Sequence, residues 1–278
     1  MTTYTKCNEE AKNVNIVNIR NNRMLNAMIE GEGAAATWFN MENLKKDYPQ
    51  YFTNFNEFVN KFPTIITDDA VGNPYLKCTY MNYKISTSLP RYLWYAFDII
   101  NELTKSNIKN VKIFEIGGGY GILARILLRI SKKYNIKIKK YSMVDVDNIV
   151  KLQKKYLDYF NFDCETNFIN FSELYKNPDM DIDCNLIISS GSLGEIGEVS
   201  EDGKNIQNFY IQNFLNKCPN VHLHWSPQGP KTSHTFQSFK SYTKKDIKHL
   251  FHAPSGLENA LKDKTRETIS LFKYKKVS

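Results

Sequence analysis

Cysteine is sparse in this chain and unpaired in pattern. Five cysteines (Cys7, Cys78, Cys164, Cys184, Cys218) are scattered through 278 residues. The count is odd and no C-x-x-C occurs, which argues against a disulfide framework and a thiolate zinc site and predicts reduced thiols. No apolar run approaches the length that crosses a bilayer, and the opening M-T-T-Y-T-K-C-N-E-E contains no apolar segment of a secretory leader. A soluble, cytoplasmic chain without a membrane partner is the expectation. Internal repeats and long linkers are also missing.

What is present is ordinary for a globular protein: 42% apolar and 24% charged residues, in a length that accommodates one sizeable domain plus an accessory region. The net charge of +8 is uneven. Residues 231–278 hold eleven Lys and Arg against four acids. Such a segment could attract an anionic substrate such as a sugar nucleotide or an RNA, and is equally explained as a solvated lysine-rich face.

The chain is organised around residues 111–121, V-K-I-F-E-I-G-G-G-Y-G. The apolar residues Val111, Ile113, Phe114 and Ile116 predict a buried parallel strand, and Ile122, Leu123, Ile126, Leu127 and Ile130 a helix. Strand, glycine turn and helix open a nucleotide-binding α/β unit. Glycine suits a turn that is tight and that a ligand approaches closely.

Two ligands compete for that turn. Gly119, Gly121 and Ala124 fit the dinucleotide pattern G-x-G-x-x-A. Glu115, Gly117, Gly119 and Gly121 fit the S-adenosylmethionine (SAM) pattern, an acid at the strand end followed by G-x-G-x-G. The acid favours SAM, because its carboxylate attracts an ammonium and a sulfonium and would repel a pyrophosphate. On this reading Glu115, Gly117, Gly119, Tyr120 and Gly121 bind the methionyl part. Asp145 ends the second strand and accepts the ribose hydroxyl protons. Asp147 is the reserve, and is otherwise a helix N-cap. Phe171, Ser172 and Ser189 are further cofactor candidates.

The pattern along the chain predicts alternation of strands and helices. Strands are expected at 138–144, 167–171, 183–189, 221–225, 248–252 and 268–274. Helices are expected at 89–103, 148–160, 205–217 and 255–263. Upstream, residues 17–29 carry a short helical pattern, 30–37 a turn and helix start, and 68–75 strong turn chemistry. Tyr48, Phe52, Phe55, Phe58 and Phe62, spaced three to four apart, read as core aromatics of short helices. The fold class is therefore α/β, Rossmann-like, with a seven-stranded mostly parallel sheet over residues 105–278 and an N-terminal helical region over 1–104. An ending in a hairpin-like strand pair suits a class I SAM-dependent methyltransferase better than a dehydrogenase.

The fourth strand is followed by Ser189-Ser190-Gly191-Ser192-Leu193-Gly194-Glu195. There is no N/D-P-P-Y/F tetrapeptide of amine methylation, and no Asp of metal-dependent or RNA ribose O-methylation. The strings I-F-E-I-G-G-G-Y-G-I-L-A-R-I-L, Y-S-M-V-D-V-D with L-Q-K-K-Y-L, and I-I-S-S-G-S-L-G-E-I make the chain resemble a family of sugar O-methyltransferases over about residues 70–225. Gln153, Tyr156, Leu157 and Glu195 carry the more specific part. The resemblance implies SAM-dependent methyl transfer to a sugar hydroxyl in glycan biosynthesis, and leaves the sugar unspecified.

Such a transfer needs an aligned acceptor oxygen and a group that takes its proton. His222 and His224 alternate on one strand and so share a face. Glu195, in a glycine-flanked loop, and His234, in a loop rich in Gly, Pro, Ser and Thr, are the other catalytic candidates. Two His at i and i+2 could also ligate a metal, but no third ligand stands out and none is expected. Arg91 could grip a diphosphate, and Tyr83, Tyr92 and Trp225 could stack on a sugar. A sugar or nucleotide sugar is the expected partner, nucleic acid is disfavoured, and homo-oligomerisation is left open. Rival readings are an NAD-dependent oxidoreductase, an RNA methyltransferase and a non-catalytic SAM-fold scaffold subunit.

Overall fold

The computed structural model describes residues 8–12, 14–29, 34–199, 201–225, 248–252 and 268–273. The chain forms two compact units that alternate along the sequence.

One unit comprises Met1–Asn101, Gly119–Asn135 and Asp145–Cys164. Its helices are α1 (Arg23–Ile29), α2 (Ala34–Asp47), α3 (Phe55–Lys61), α4 (Thr64–Ala70), most of α5 (Leu89–Lys105), α6 (Ile122–Ile130) and α7 (Asp147–Asp158). The pattern over 17–29 divides into a 3-10 turn at Ile16–Asn18 and α1. The division falls at Asn22, whose side chain accepts the N–H groups of Met24 and Leu25 and so starts a new helix. The aromatic series is core: Tyr48, Phe52, Phe55, Phe58 and Phe62 are all buried. Phe55 stacks on Phe58, Phe52 packs tilted against both, and Phe58 meets the edge of Phe97 on α5.

Two features upstream of the glycine turn differ from expectation. Residues 77–86, unassigned by pattern, form an antiparallel hairpin of β1 (Lys77–Tyr80) and β2 (Tyr83–Ser86). Met81 stands in its turn at φ 44°, without the glycine or asparagine that marks such a position. The first half of the expected turn 68–75 is helical instead, and Asp68 and Asp69 on α4 have cationic partners, half-buried for Asp68 and buried for Asp69. Asp68 pairs with Arg129 at 2.5 Å, and Asp69 lies 3.5 Å from Arg20 and 3.4 Å from Arg125. Arg20, Asp69 and Arg125 are all shielded from water, and Ser86 donates to Asp69 through its N–H (2.6 Å) and its hydroxyl (2.8 Å).

The other unit comprises Glu102–Gly118, Ile136–Val144 and Glu165–Ser278. It holds a sheet of β3 (Asn110–Ile116), β4 (Lys137–Asp145), β5 (Glu165–Asn170), β6 (Leu186–Ser190), β7 (Asn220–Trp225), β8 (Lys248–His252) and β9 (Thr268–Lys273), in the order β5-β4-β3-β6-β7-β9-β8. Strands β4, β3, β6 and β7 pair in parallel; β9 joins β7, and β8 joins β9, antiparallel. The order starts at β3 and grows outward both ways, so the first strand sits centrally with the switch point beside it. In open α/β sheets this is where ligands bind, at the carboxyl ends of the strands.

One sheet face carries Phe114, Ile116, Val144, Ile187, Val221 and Leu223, packed with Leu174, Leu193, Tyr210 and Phe214. These come from α8 (Phe171–Lys176), α9 (Ser192–Val199), α10 (Glu201–Tyr210) and the π-turn Ile211–Leu215 that follows it. The third strand ends at Asn170, not Phe171. The Asn170 side chain accepts the Ser172 N–H and starts α8 there. The expected 255–263 helix lies outside the described residues.

Candidate functional site at the carboxyl end of the sheet

Register shows which side chains share a face, since residues paired on parallel neighbours point the same way. Glu115 pairs with Met143 on β4 and Ile188 on β6, and Ile188 with His222 on β7. Glu115, Ile188 and His222 thus form one row, on the face opposite the apolar cluster. His224 stands one step nearer the carboxyl edge, level with Ser190. Two strand spacings, about 10 Å, separate Glu115 from His222 along the row.

Glu115 is fully buried, and its Oε2 accepts the Tyr141 hydroxyl at 2.8 Å. The chain leaves β3 through Gly117, whose N–H donates to Val144 O at 2.9 Å and whose carbonyl accepts the Ser192 hydroxyl at 2.6 Å. Gly117 has φ +70°, and a Cβ there would fall inside the Ser192 side chain. A Cβ on Gly118 would meet the Met143 methyl and come within 3.0 Å of Glu115 Oε2, so the buried carboxylate lies directly against that peptide. Within the other unit, Cβ atoms on Gly119 and Gly121 would meet Ile29 and Leu157. The glycines are thus required by a tight turn and by the protein's own packing; the space a Cβ would take is already filled.

Asp145 is half-buried at the end of β4. Val146 N–H donates to its Oδ1 and Gln153 Nε2 to its Oδ2, each at 2.9 Å, and the Gly119 N–H donates as well. Burial nevertheless pushes its carboxyl up from 3.8 to about 7, against the lowering effect of those three bonds. A carboxylate offers about four acceptor positions, so the three protein donors leave room for one ligand hydroxyl rather than two. Asp147 is not an N-cap: Val146 occupies that position, and Asp147 lies in the first turn of α7, paired with Lys151 at 2.9 Å.

The strand alternation places His222 and His224 together, as expected. Both are buried, with Nε2 atoms 3.2 Å apart and ring centroids 4.7 Å apart. Glu195 lies in the helix α9 rather than in a loop. That helix starts early because the Ser189 hydroxyl accepts the Leu193 N–H at 3.2 Å. Ser189 is therefore turned toward α9, on the face away from Glu115 and His222, and its hydroxyl serves the helix. Phe171 packs against Tyr175, Phe209 and Tyr210, while Ser172 is exposed in the first turn of α8.

Arg91 and Tyr92, in the first turn of α5, both donate to Ile29 O (3.4 and 3.2 Å), and the guanidinium lies 5.1 Å from the Tyr92 ring centre. Tyr83 meets Phe55 edge to face at 5.4 Å, a packing role. Trp225 closes β7. His234 lies outside the described residues. The residues that sequence reasoning left without a role are Tyr141, Gln153 and Leu157. The strings quoted above contained all three, but only tertiary contacts show what each one holds.

No protein-family model matches the chain, and no curated protein matches it. Solved structures similar to it at low identity include the following three. Monomeric WbdD has a TM-score of 0.46 at 11% identity, with 78% of this chain and 48% of that one aligned. A Streptococcus mutans protein assigned as a SAM-dependent methyltransferase gives 0.43 at 11%, over 63% and 48%. A Pyrococcus horikoshii protein assigned as an RNA methyltransferase gives 0.41 at 13%, over 69% and 85%. The fold itself is α/β, with a mixed seven-stranded sheet whose central strands are parallel. Among the described residues no helix is long and apolar enough to cross a membrane.

Proposed function

We propose that this chain is a class I SAM-dependent O-methyltransferase that methylates a hydroxyl of a sugar or nucleotide sugar in glycan biosynthesis. The observation that carries this reading is the buried carboxylate of Glu115 against the Gly118 peptide. A dinucleotide would bring its pyrophosphate to such a turn, where a buried anion opposes it; a ligand with an ammonium and a sulfonium is favoured there. Asp145, at the end of the adjacent strand, accepts a ribose hydroxyl. The sugar acceptor rests on the residue resemblance described above.

The cofactor would supply a methyl carbon activated by its sulfonium. The protein's part is to orient the acceptor, exclude water and hold the hydroxyl proton. His222 and His224 are the residues proposed for the proton. Two imidazoles with Nε2 atoms 3.2 Å apart can share a proton, so that one accepts from the substrate while the other stabilises the charge. Glu195 and His234 are the alternative bases. Arg91, Tyr92 and Trp225 are proposed on the acceptor side.

Calorimetric titration with S-adenosylhomocysteine, with NADH run in parallel, tests the cofactor. Micromolar binding of the former alone supports the proposal and justifies a screen of nucleotide sugars. Binding of NADH alone replaces it with an oxidoreductase, and binding of neither with a scaffold subunit. Salt-sensitive binding of an oligonucleotide would favour an RNA substrate. His222→Ala and His224→Ala should retain cofactor binding and lose turnover; wild-type rates in both would move the base to Glu195 or His234.

A further inference from the structure

We infer that Gln153 is a positioning residue for the cofactor site: its amide fixes the plane of the Asp145 carboxylate and keeps it an acceptor for a ligand hydroxyl. This rests on the proposed cofactor reading for its functional meaning, and on geometry for its substance. Gln153 is fully buried on α7, and its Nε2 reaches Asp145 Oδ2 at 2.9 Å while Val146 N–H holds Oδ1. Each oxygen therefore has its own donor, and the carboxylate cannot turn without losing one.

The fold alone does not call for glutamine here. Gln153 Oε1 is buried and has no hydrogen-bond partner among the described residues, a cost that leucine or methionine would not carry. Its neighbours on the helix, Leu152, Tyr156 and Leu157, are apolar or aromatic and buried. What the amide contributes is the bond to Asp145. The donors on that carboxylate are all neutral: Val146 N–H, Gly119 N–H and the Gln153 amide. On the same helix Asp147 and Lys151 are exposed and pair with each other, and Lys154 pairs with Asp158. Gln153 is thus the one side chain shown to donate to this carboxylate. Its bond lowers the carboxyl's pKa against the burial that raises it, and with all three donors in place the net value is about 7.

The test compares wild type with Gln153→Leu, Gln153→Met and Gln153→Glu. Titration with S-adenosylhomocysteine from pH 5.5 to 8.5 should show wild-type affinity rising with pH and levelling off above neutrality. Gln153→Leu should keep its thermal midpoint, bind roughly ten- to a hundredfold more weakly at pH 7, and reach half of its own maximum at higher pH. Gln153→Met guards against a folding defect specific to leucine. In Gln153→Glu a protonated glutamate can still donate to an ionised Asp145, so binding should fail at higher pH, as both carboxyls ionise, where wild type binds best. Wild-type affinity and wild-type pH profile in folded Gln153→Leu and Gln153→Met would overturn the inference while leaving the cofactor reading intact. If wild type binds no S-adenosylhomocysteine, that reading fails on its own. Carbon-13 NMR of the Asp145 carboxyl, assigned by its loss in Asp145→Asn, still decides the inference. A higher midpoint in Gln153→Leu supports it, and an unchanged one refutes it.

Discussion

Replacing Asp145 by asparagine should make the folded protein more stable at neutral and alkaline pH while weakening its ligand. Burial lifts the Asp145 carboxyl from 3.8 to about 7 in the folded chain, whereas the unfolded chain keeps it near 3.8. Between those values the unfolded state releases a proton that the folded state retains. Folding stability from this group is therefore unimpaired below about pH 4 and declines as pH rises toward 7, then stays reduced. At about 1.4 kcal/mol per pH unit, the interval from 3.8 to about 7 gives an upper bound of about 4 kcal/mol. The partial solvent access of the side chain reduces it, and about 2 kcal/mol is the expected size between pH 5 and pH 8. Asparagine keeps the shape and carries no charge to desolvate. Urea unfolding of wild type and Asp145→Asn at half-unit steps from pH 5 to 8 isolates the effect, because all other groups cancel in the difference. The gap should widen in favour of the variant as pH rises. Parallel curves, or a variant that loses ground with pH, would refute the reasoning.

Other perturbations probe the remaining parts. Asp69→Asn leaves the buried Arg20 and Arg125 without their shared carboxylate, and should cost about 3–5 kcal/mol in denaturant unfolding. Gly117→Ala combines a left-handed φ of +70° with a clash against Ser192, and should cost about 2–5 kcal/mol. Gly121→Ala, whose neighbour is the flexible Leu157 side chain at 3.2 Å, should cost less; thermal melts of the two variants check the order. Tyr141→Phe removes the hydroxyl bonded to buried Glu115 and should cost about 1–3 kcal/mol, with weaker S-adenosylhomocysteine binding by calorimetry.

Much of the architecture was legible before any coordinates, because its signals are local and repeat with the element's period. The apolar alternation of β3, the switch to a helical period in α6 and the glycines between them identify the unit that organises the chain. The spacing of Phe52, Phe55, Phe58 and Phe62 identified core, and the separation of His222 from His224 by one residue placed them on one face. Boundaries failed where a side chain intervened in the backbone. Asn170 ended a strand one residue early, Ser189 turned an expected loop into α9, and Asn22 divided one helical pattern in two. Each is a short polar side chain taking over a backbone N–H, which no hydrophobic period registers.

The sequence by itself determined the strand, glycine turn and helix that organise the chain and most of the sheet strands, that an acid precedes the glycine turn, and that two histidines share a strand face. These follow from residue types and spacing within a few positions. The tertiary structure alone decided what those residues meet. It brought Tyr141 to Glu115 and Gln153 to Asp145, put Ser192 and Ile29 where glycine Cβ atoms would lie, and gathered Arg20, Asp69 and Arg125 out of water. Those contacts join residues far apart along the chain, or set a side chain's environment through burial. Local periodicity carries no information about either, because both depend on which faces the folded chain brings together.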